Sequence, residues 1–204
     1  LRIPAHPVAL ELLRATRQPI AAPSANRSNC LSPTRAEHVL RDLDGHVELV
    51  LDAGPTSGGL ESTVLDLTTS PPRLLRPGLV TPLEIEAVIG EIARPEHEVV
   101  AEQQAAPSPG MMARHYAPSA PLEIVSGDGW ERVKALCRAG QKVGWITFAR
   151  SEQHKHQGLI TKVMPRDPRG YAARLYDVLH VLDEQSVERI IVADWADGVL
   201  NERA

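Results

Sequence analysis

The chain has 204 residues and a mass of 22.2 kDa, room for one large domain or two modest ones. Its 43% hydrophobic and 24% charged residues exclude wholesale disorder, and no run nears eighteen apolar residues, so no helix is expected to span a membrane. A net charge of −4 argues against a dominant nucleic-acid-binding surface, and two distant cysteines, Cys30 and Cys137, argue against a disulfide framework or zinc ribbon and fit a reducing cytoplasm.

Leu1-Arg2-Ile3-Pro4 has no cationic start leading into an apolar run, so no signal peptide is read there. Val8, Leu12 and Leu13 after Pro7 predict a first short helix. Pro19–Ala22 reads as a short β run. Ser32-Pro33-Thr34 opens a second helix with Ala36, Val39, Leu40 and Leu43 on one side, capped by Ser32 or by Thr34, which has Glu37 three residues on. Further β-rich runs are Val47–Leu51, Ser62–Leu67 and Arg73–Leu75, with Gly54, Gly58 and Gly59 punctuating the loop between two of them. Thr81-Pro82-Leu83-Glu84 is a capping-box start with proline at the first helical position; Ile85, Val88, Ile89 and Ile92 then share one face.

Periodicity stops near residue 94. Residues 94–121 are rich in proline and polar residues, a linker signature, yet they contain the specific run Met111-Met112-Ala113-Arg114-His115-Tyr116-Ala117-Pro118. Beyond it the pattern alternates: a strand at Leu122–Val125, a helix face of Trp130, Val133, Leu136 and Cys137, strands at Val143–Thr147 and Leu159–Val163, a longer helix with Tyr171, Leu175, Val178, Leu179 and Leu182, and a β-branched strand at Arg189–Ala193. Such alternation predicts a small parallel α/β layer fold. The expected organisation is a first unit over 1–93, a linker over 94–121 and a second unit over 122–204. All four lysines lie in the second unit; residues 1–121 carry ten arginines and none.

Three clusters bear chemistry. Pro19-Ile20-Ala21-Ala22-Pro23-Ser24-Ala25-Asn26-Arg27-Ser28 runs an apolar segment into a turn of hydroxyls and an amide, with Ser32 at a helix start beyond. Free N–H groups there suit an anion, and the same residues also serve as plain turn and cap residues. Gly58-Gly59-Leu60-Glu61-Ser62-Thr63-Val64 offers close backbone approach and two hydroxyls, for a small polar substrate or for a glycine-rich hairpin loop. Leu74-Leu75-Arg76-Pro77-Gly78 sets an arginine fork before a turn, fit for phosphate or for a surface salt bridge. Other features carry less: His154-Lys155-His156 reads as a solvated loop, Ser126-Gly127-Asp128-Gly129 lacks the third glycine of a dinucleotide loop, and the two cysteines have no base beside them in sequence.

In order, Ala21-Ala22-Pro23-Ser24-Ala25-Asn26-Arg27-Ser28, Leu31-Ser32-Pro33-Thr34, Gly59-Leu60-Glu61-Ser62-Thr63-Val64-Leu65-Asp66 and Leu75-Arg76-Pro77-Gly78 resemble the second half of a YrdC-type domain. Ser108-Pro109-Gly110-Met111 and Arg114-His115-Tyr116-Ala117-Pro118 resemble the linker of the long, two-domain threonylcarbamoyl-AMP synthases, and the segment from Leu122 is similar to their smaller C-terminal domain. The resemblance covers essentially the whole chain. It implies the C-terminal part of a YrdC-type α/β domain, a linker and a small Rossmann-like α/β domain.

The same resemblance implies an ATP-dependent nucleotidyltransferase using Mg²⁺. L-Threonine and bicarbonate form a carbamate that attacks the α-phosphorus of ATP, giving threonylcarbamoyl-AMP and pyrophosphate; a separate system then transfers the threonylcarbamoyl group to tRNA. By matching motifs, Ser24, Ser32, Asn26, Arg76 and Tyr116 are expected at ATP, Arg76 at its phosphates. Ala22, through its backbone, and Ser62, through its hydroxyl, are expected at threonine. No covalent nucleophile and no metal-ligating side chain is assigned. The family's domain begins with a further N-terminal portion bearing a Lys-x-Arg pair. The chain is expected to lack it, to be nearly inactive alone, and to expose apolar surface where that portion packs. The competing reading is a non-catalytic nucleotide- or RNA-binding remnant; double-stranded RNA or tRNA binding fits the charge poorly. A related carbamoyl-transfer enzyme containing the same domain does not account for the linker and tail.

Overall fold

Pro7 starts α1 (Pro7–Thr16), which ends where Arg17 turns left-handed at φ 52° and donates its N–H to the Leu13 carbonyl. The computed structural model describes residues 2–94, 117–148 and 154–194. Among these, the second helix, α2 (Ala36–Leu43), begins later than the sequence pattern implies. Its cap position is the extended Arg35, which gives no side-chain cap bond. Ser32 and Thr34 are not its caps, because both hydroxyls are engaged otherwise: Ser32 with Glu61, 29 positions away, and Thr34 with the ring of His38 four residues on, inside α2. The buried residue of α2 is His38, whereas Leu40 is 47% exposed.

A strand needs a ladder partner. Val64–Asp66 (β1) and Arg73–Arg76 (β2) find each other as an antiparallel pair. Pro19–Ala22 and Val47–Leu51 form no strand: neither run joins a hydrogen-bonded ladder among the described residues. The helix α3 (Pro82–Ile89) has the expected capping box, Thr81 Oγ1 accepting the Glu84 N–H while the Glu84 carboxylate accepts the Thr81 N–H. Its apolar stripe does not become a core: Val88 is 83% exposed and Ile89 47%, and only Ile92, beyond the helix, is buried.

The second part follows its alternation. β3 (Leu122–Val125), α4 (Trp130–Arg138), β4 (Val143–Thr147), β5 (Leu159–Val163), α5 (Pro168–Glu184) and β6 (Arg189–Ala193) form a parallel four-stranded sheet of order β3-β6-β4-β5 with α4 and α5 on its two faces. Strand side chains alternate between the faces. Val143, Trp145 and Ile191 pack on Val133, Leu136 and Cys137 of α4, while Ile146, Ile190 and Val192 pack on Val178, Leu179 and Leu182 of α5. A Cβ on Gly144 would sit 2.9 Å from the Leu182 methyls, so that glycine lets α5 settle onto β4. Gly129, at φ 74°, supplies the left-handed turn that enters α4.

Leu31, from the first part, belongs to the core under α5, with Leu60 packed against it. Helix α5 is therefore buried on two sides, and Tyr176 and His180 are buried along with its aliphatic stripe. The first part has little core of its own, and Ile3, Ile20, Leu49, Leu51, Leu67 and Val88 are between 46% and 89% exposed. No helix among the described residues is long and apolar enough to cross a membrane.

Candidate functional site

The turn after α1, the approach to α2, the loop before β1 and the end of β2 converge on one cavity of about 710 Å³. Ala22, Ser24, Ser32, Ser62 and Arg76, five residues separated by up to 54 positions, all line it. Asn26 does not. Its amide donates to the Arg27 and Cys30 carbonyls at 3.0 and 2.9 Å, so it shapes the turn that carries Ser24. Tyr116 lies outside the described residues.

Arg76 ends β2 opposite Val64, and its Nε and Nη2 donate to the Ser62 carbonyl at 3.1 and 2.8 Å. One guanidinium edge thus pins the Ser62 loop while the residue faces the cavity. Gly78 is what allows the crossing after it: a Cβ there would lie 2.4 Å from both the Glu61 carbonyl and the Thr63 nitrogen. Thr63 Oγ1 then donates to the Val80 carbonyl at 2.6 Å, closing the loop onto the turn beyond Gly78. Gly59 makes its close approach to protein rather than to an open substrate space, with a Cβ placed 2.3 Å from the Ala172 carbonyl oxygen of α5.

Glu61, part of the Gly59–Asp66 sequence motif, is the single carboxylate on the cavity wall among the described residues. Ser32 Oγ donates to its Oε1 at 2.6 Å, and Tyr176 OH donates to its Oε2 at 3.1 Å. Among the described residues, Tyr176 is also the one lining residue that comes from the second part of the chain. Sequence patterning missed it because the apolar face of that helix, Tyr171, Leu175, Val178, Leu179 and Leu182, leaves Tyr176 out; two polar rings four residues apart, Tyr176 and His180, were the available signal.

Behind the cavity, α5 is fixed to the first part by polar contacts. Arg35 grips Asp177 with two bonds of 2.6 and 3.0 Å, and this holds the Asp177 carboxyl below its ordinary range. Arg41 reaches Glu184 Oε1 at 2.8 Å and His180 Nδ1 at 2.6 Å. An arginine can only donate, so His180 Nδ1 accepts and its Nε2–H donates to the Ser32 carbonyl at 3.0 Å. The His38 and His180 rings stack at 3.8 Å. Burial, then His180 and Arg41, push the His38 pKa down.

Elsewhere, His154 is half-buried beside Trp130 and Trp145, with ring centroids 4.2 and 5.2 Å away, rather than in a solvated loop. Both cysteines are free, and burial raises the Cys137 thiol. Among the described residues, no group of three or more His, Cys, Asp or Glu could hold a metal ion.

A family model described as "Telomere recombination" matches residues 1–78, and one described as "Threonylcarbamoyl-AMP synthase, C-terminal domain" matches residues 80–202. The chain is 43% identical over 203 residues to the threonylcarbamoyl-AMP synthase of Bacillus subtilis, covering 97% of this chain and 58% of that protein. It is 50% identical over 153 residues to the Pyrococcus abyssi threonylcarbamoyl-AMP synthase, covering 72% and 45%. The crystal structure of P. abyssi Sua5 complexed with L-threonine superposes with a TM-score of 0.81 at 37% identity, covering 94% of this chain and 57% of that one. The chain thus spans about half the length of the curated relatives it matches.

Proposed function

The chain belongs to the threonylcarbamoyl-AMP synthase family, and from that membership we propose that it carries ATP- and threonine-binding residues of a synthase making threonylcarbamoyl-AMP. The substrates are L-threonine, bicarbonate and ATP. The threonine amine and bicarbonate give a carbamate and water; a carbamate oxygen bonds to the α-phosphorus, and pyrophosphate leaves. The product then serves a separate tRNA-modifying system.

The observation that carries this reading is the convergence of Ala22, Ser24, Ser32, Ser62 and Arg76 on one cavity. Arg76 is the phosphate-side cation, with its plane set by the Ser62 carbonyl. Ser24 and Ser32 face the nucleotide. Ala22, through its backbone, and Ser62, through its hydroxyl, face threonine. Asn26 acts on ATP indirectly, through the turn it closes. Tyr116 is assigned to the nucleotide by its motif alone. Such a site works by placing reactants and balancing developing charge, and needs no covalent nucleophile.

Mg²⁺ fits this site as part of the MgATP substrate. Among the described residues Glu61 is the one carboxylate lining the cavity, and it is already engaged by Ser32 and Tyr176, so the ion would be held through the nucleotide's phosphates rather than by a protein cage. The cytoplasm is the compartment that suits both the nucleotide and the free thiols. Direct RNA binding has the weaker support, given a net charge of −4.

The test is pyrophosphate release by the full-length protein containing this chain. Release should require ATP, threonine and bicarbonate together. Arg76→Ala should weaken ATP interaction by about 1.5–3 kcal/mol, roughly 10- to 150-fold. Threonine-independent release would reject the reaction, and unchanged ATP affinity and turnover in the variant would reject the role of Arg76.

A further inference from the structure

We propose that Glu61 is a positioning residue through which α5 of the C-terminal part fixes Ser32 as a hydrogen-bond acceptor toward the nucleotide. The inference rests on the proposed function, which places ATP in this cavity, and goes beyond it by assigning the direction of the Ser32 hydrogen bond and the part of ATP it selects.

A serine hydroxyl has one proton and two lone pairs. At Ser32 that proton is donated to Glu61 Oε1 at 2.6 Å, so Oγ offers the cavity only lone pairs. Phosphate oxygens are themselves acceptors. The complementary groups on ATP are the ribose hydroxyls and the adenine amino group. Ser32 therefore reads the nucleoside, while Arg76 serves the phosphates.

The direction is set from the second domain. Tyr176 OH donates to Glu61 Oε2 at 3.1 Å, so each carboxylate oxygen has a dedicated donor and the group cannot swing without losing one. Tyr176 is 9% exposed, and the same helix holds the backbone beneath Ser32, since His180 Nε2 donates to the Ser32 carbonyl at 3.0 Å. Gly59, two residues before Glu61, rests on the α5 carbonyls of Ala172 and Ala173. Helix α5 thus grips both ends of the Ser32–Glu61 hydrogen bond.

Tyr176→Phe removes the distal hydroxyl and little volume. In the full-length protein it should raise KM for ATP about three- to tenfold with kcat within about twofold. In a Ser32→Ala background the same change should add less than about twofold, because its effect passes through Ser32. Tripolyphosphate, a probe with phosphates and no nucleoside, should bind both proteins equally by calorimetry. Glu61→Gln should reproduce the ATP-selective loss and serves if Tyr176→Phe fails to fold. Additive effects, an unchanged ATP affinity in Tyr176→Phe and Glu61→Gln, or an equal loss of tripolyphosphate binding would each overturn the proposal. Calorimetric ATP and tripolyphosphate binding need no turnover, so they test this inference even if threonine-dependent pyrophosphate release is not observed.

Discussion

His38 is 5% exposed, stacks on His180 at 3.8 Å, and uses Nδ1 to accept the Thr34 N–H at 3.2 Å. Its folded pKa lies below the ordinary 6.5 because burial, His180 and Arg41 all disfavour a second positive charge, with Asp177 and Glu184 opposing them more weakly. Above 6.5 both folded and unfolded forms hold it neutral, and the stability it contributes is complete. As pH falls below 6.5 the unfolded chain takes the proton first, so stability is lost, by up to about 1.4 kcal/mol per pH unit. The thermal midpoint of the protein should therefore drop between pH 7 and pH 5, and His38→Asn should flatten that slope. Asp177 has its own window, below its ordinary 3.8, where protonation releases Arg35. The sequence disclosed His38 and His180 as residues but not as a pair, since 142 positions separate them. Ser24, Ser32 and Arg76 were legible because each sits in a local motif; Glu61 and Tyr176 were not, because their roles depend on each other.

Among the elements, those with local stop and start signals were legible. The capping box of α3 and the strands β3, β4, β5 and β6 follow from short-range patterning. The entry of α2 was not, because Ser32 has a long-range partner in Glu61 and Thr34 is taken by the His38 ring, so neither hydroxyl caps the helix. The loop at Gly58-Gly59-Leu60-Glu61 is an element in the same sense, held by what it touches. Gly59→Ala would set a Cβ 2.3 Å from the Ala172 backbone oxygen, which cannot yield as a side chain can. The loop must lift from α5, at a cost of about 1–3 kcal/mol. Denaturant unfolding should show that loss, and ATP affinity should fall with it as Glu61 moves away from Tyr176. Unchanged values for both would mean that the loop tolerates the shift.

At the scale of the whole molecule, α5 joins the two parts, and its contacts divide by strength. Arg35–Asp177 has side chains 49% and 27% exposed, a class of pair worth about 0.2–1 kcal/mol. Leu182 is fully buried under the sheet, and its truncation costs about 2–5 kcal/mol. Asp177→Asn should therefore shift the unfolding midpoint only slightly, whereas Leu182→Ala should lower it by many degrees. A reversal would mean that polar contacts, not the core, carry the join. The apolar side chains left exposed over the first part, Leu49, Leu51 and Leu67 among them, sit on the region that builds little core of its own.

The sequence by itself determined the α/β class, the parallel second part, the family and the motifs that carry Ala22, Ser24, Ser32, Ser62 and Arg76 to one cavity. Those follow from periodicity and from motifs in which neighbouring positions act together. Only the tertiary structure decided that β-rich runs without partners stay irregular, that a serine placed like a helix cap donates to a glutamate 29 positions away, and that a tyrosine of the second part faces the cavity of the first. Hydrogen-bond direction and ladder pairing belong to groups brought together across the chain, so they exist only once the parts have packed.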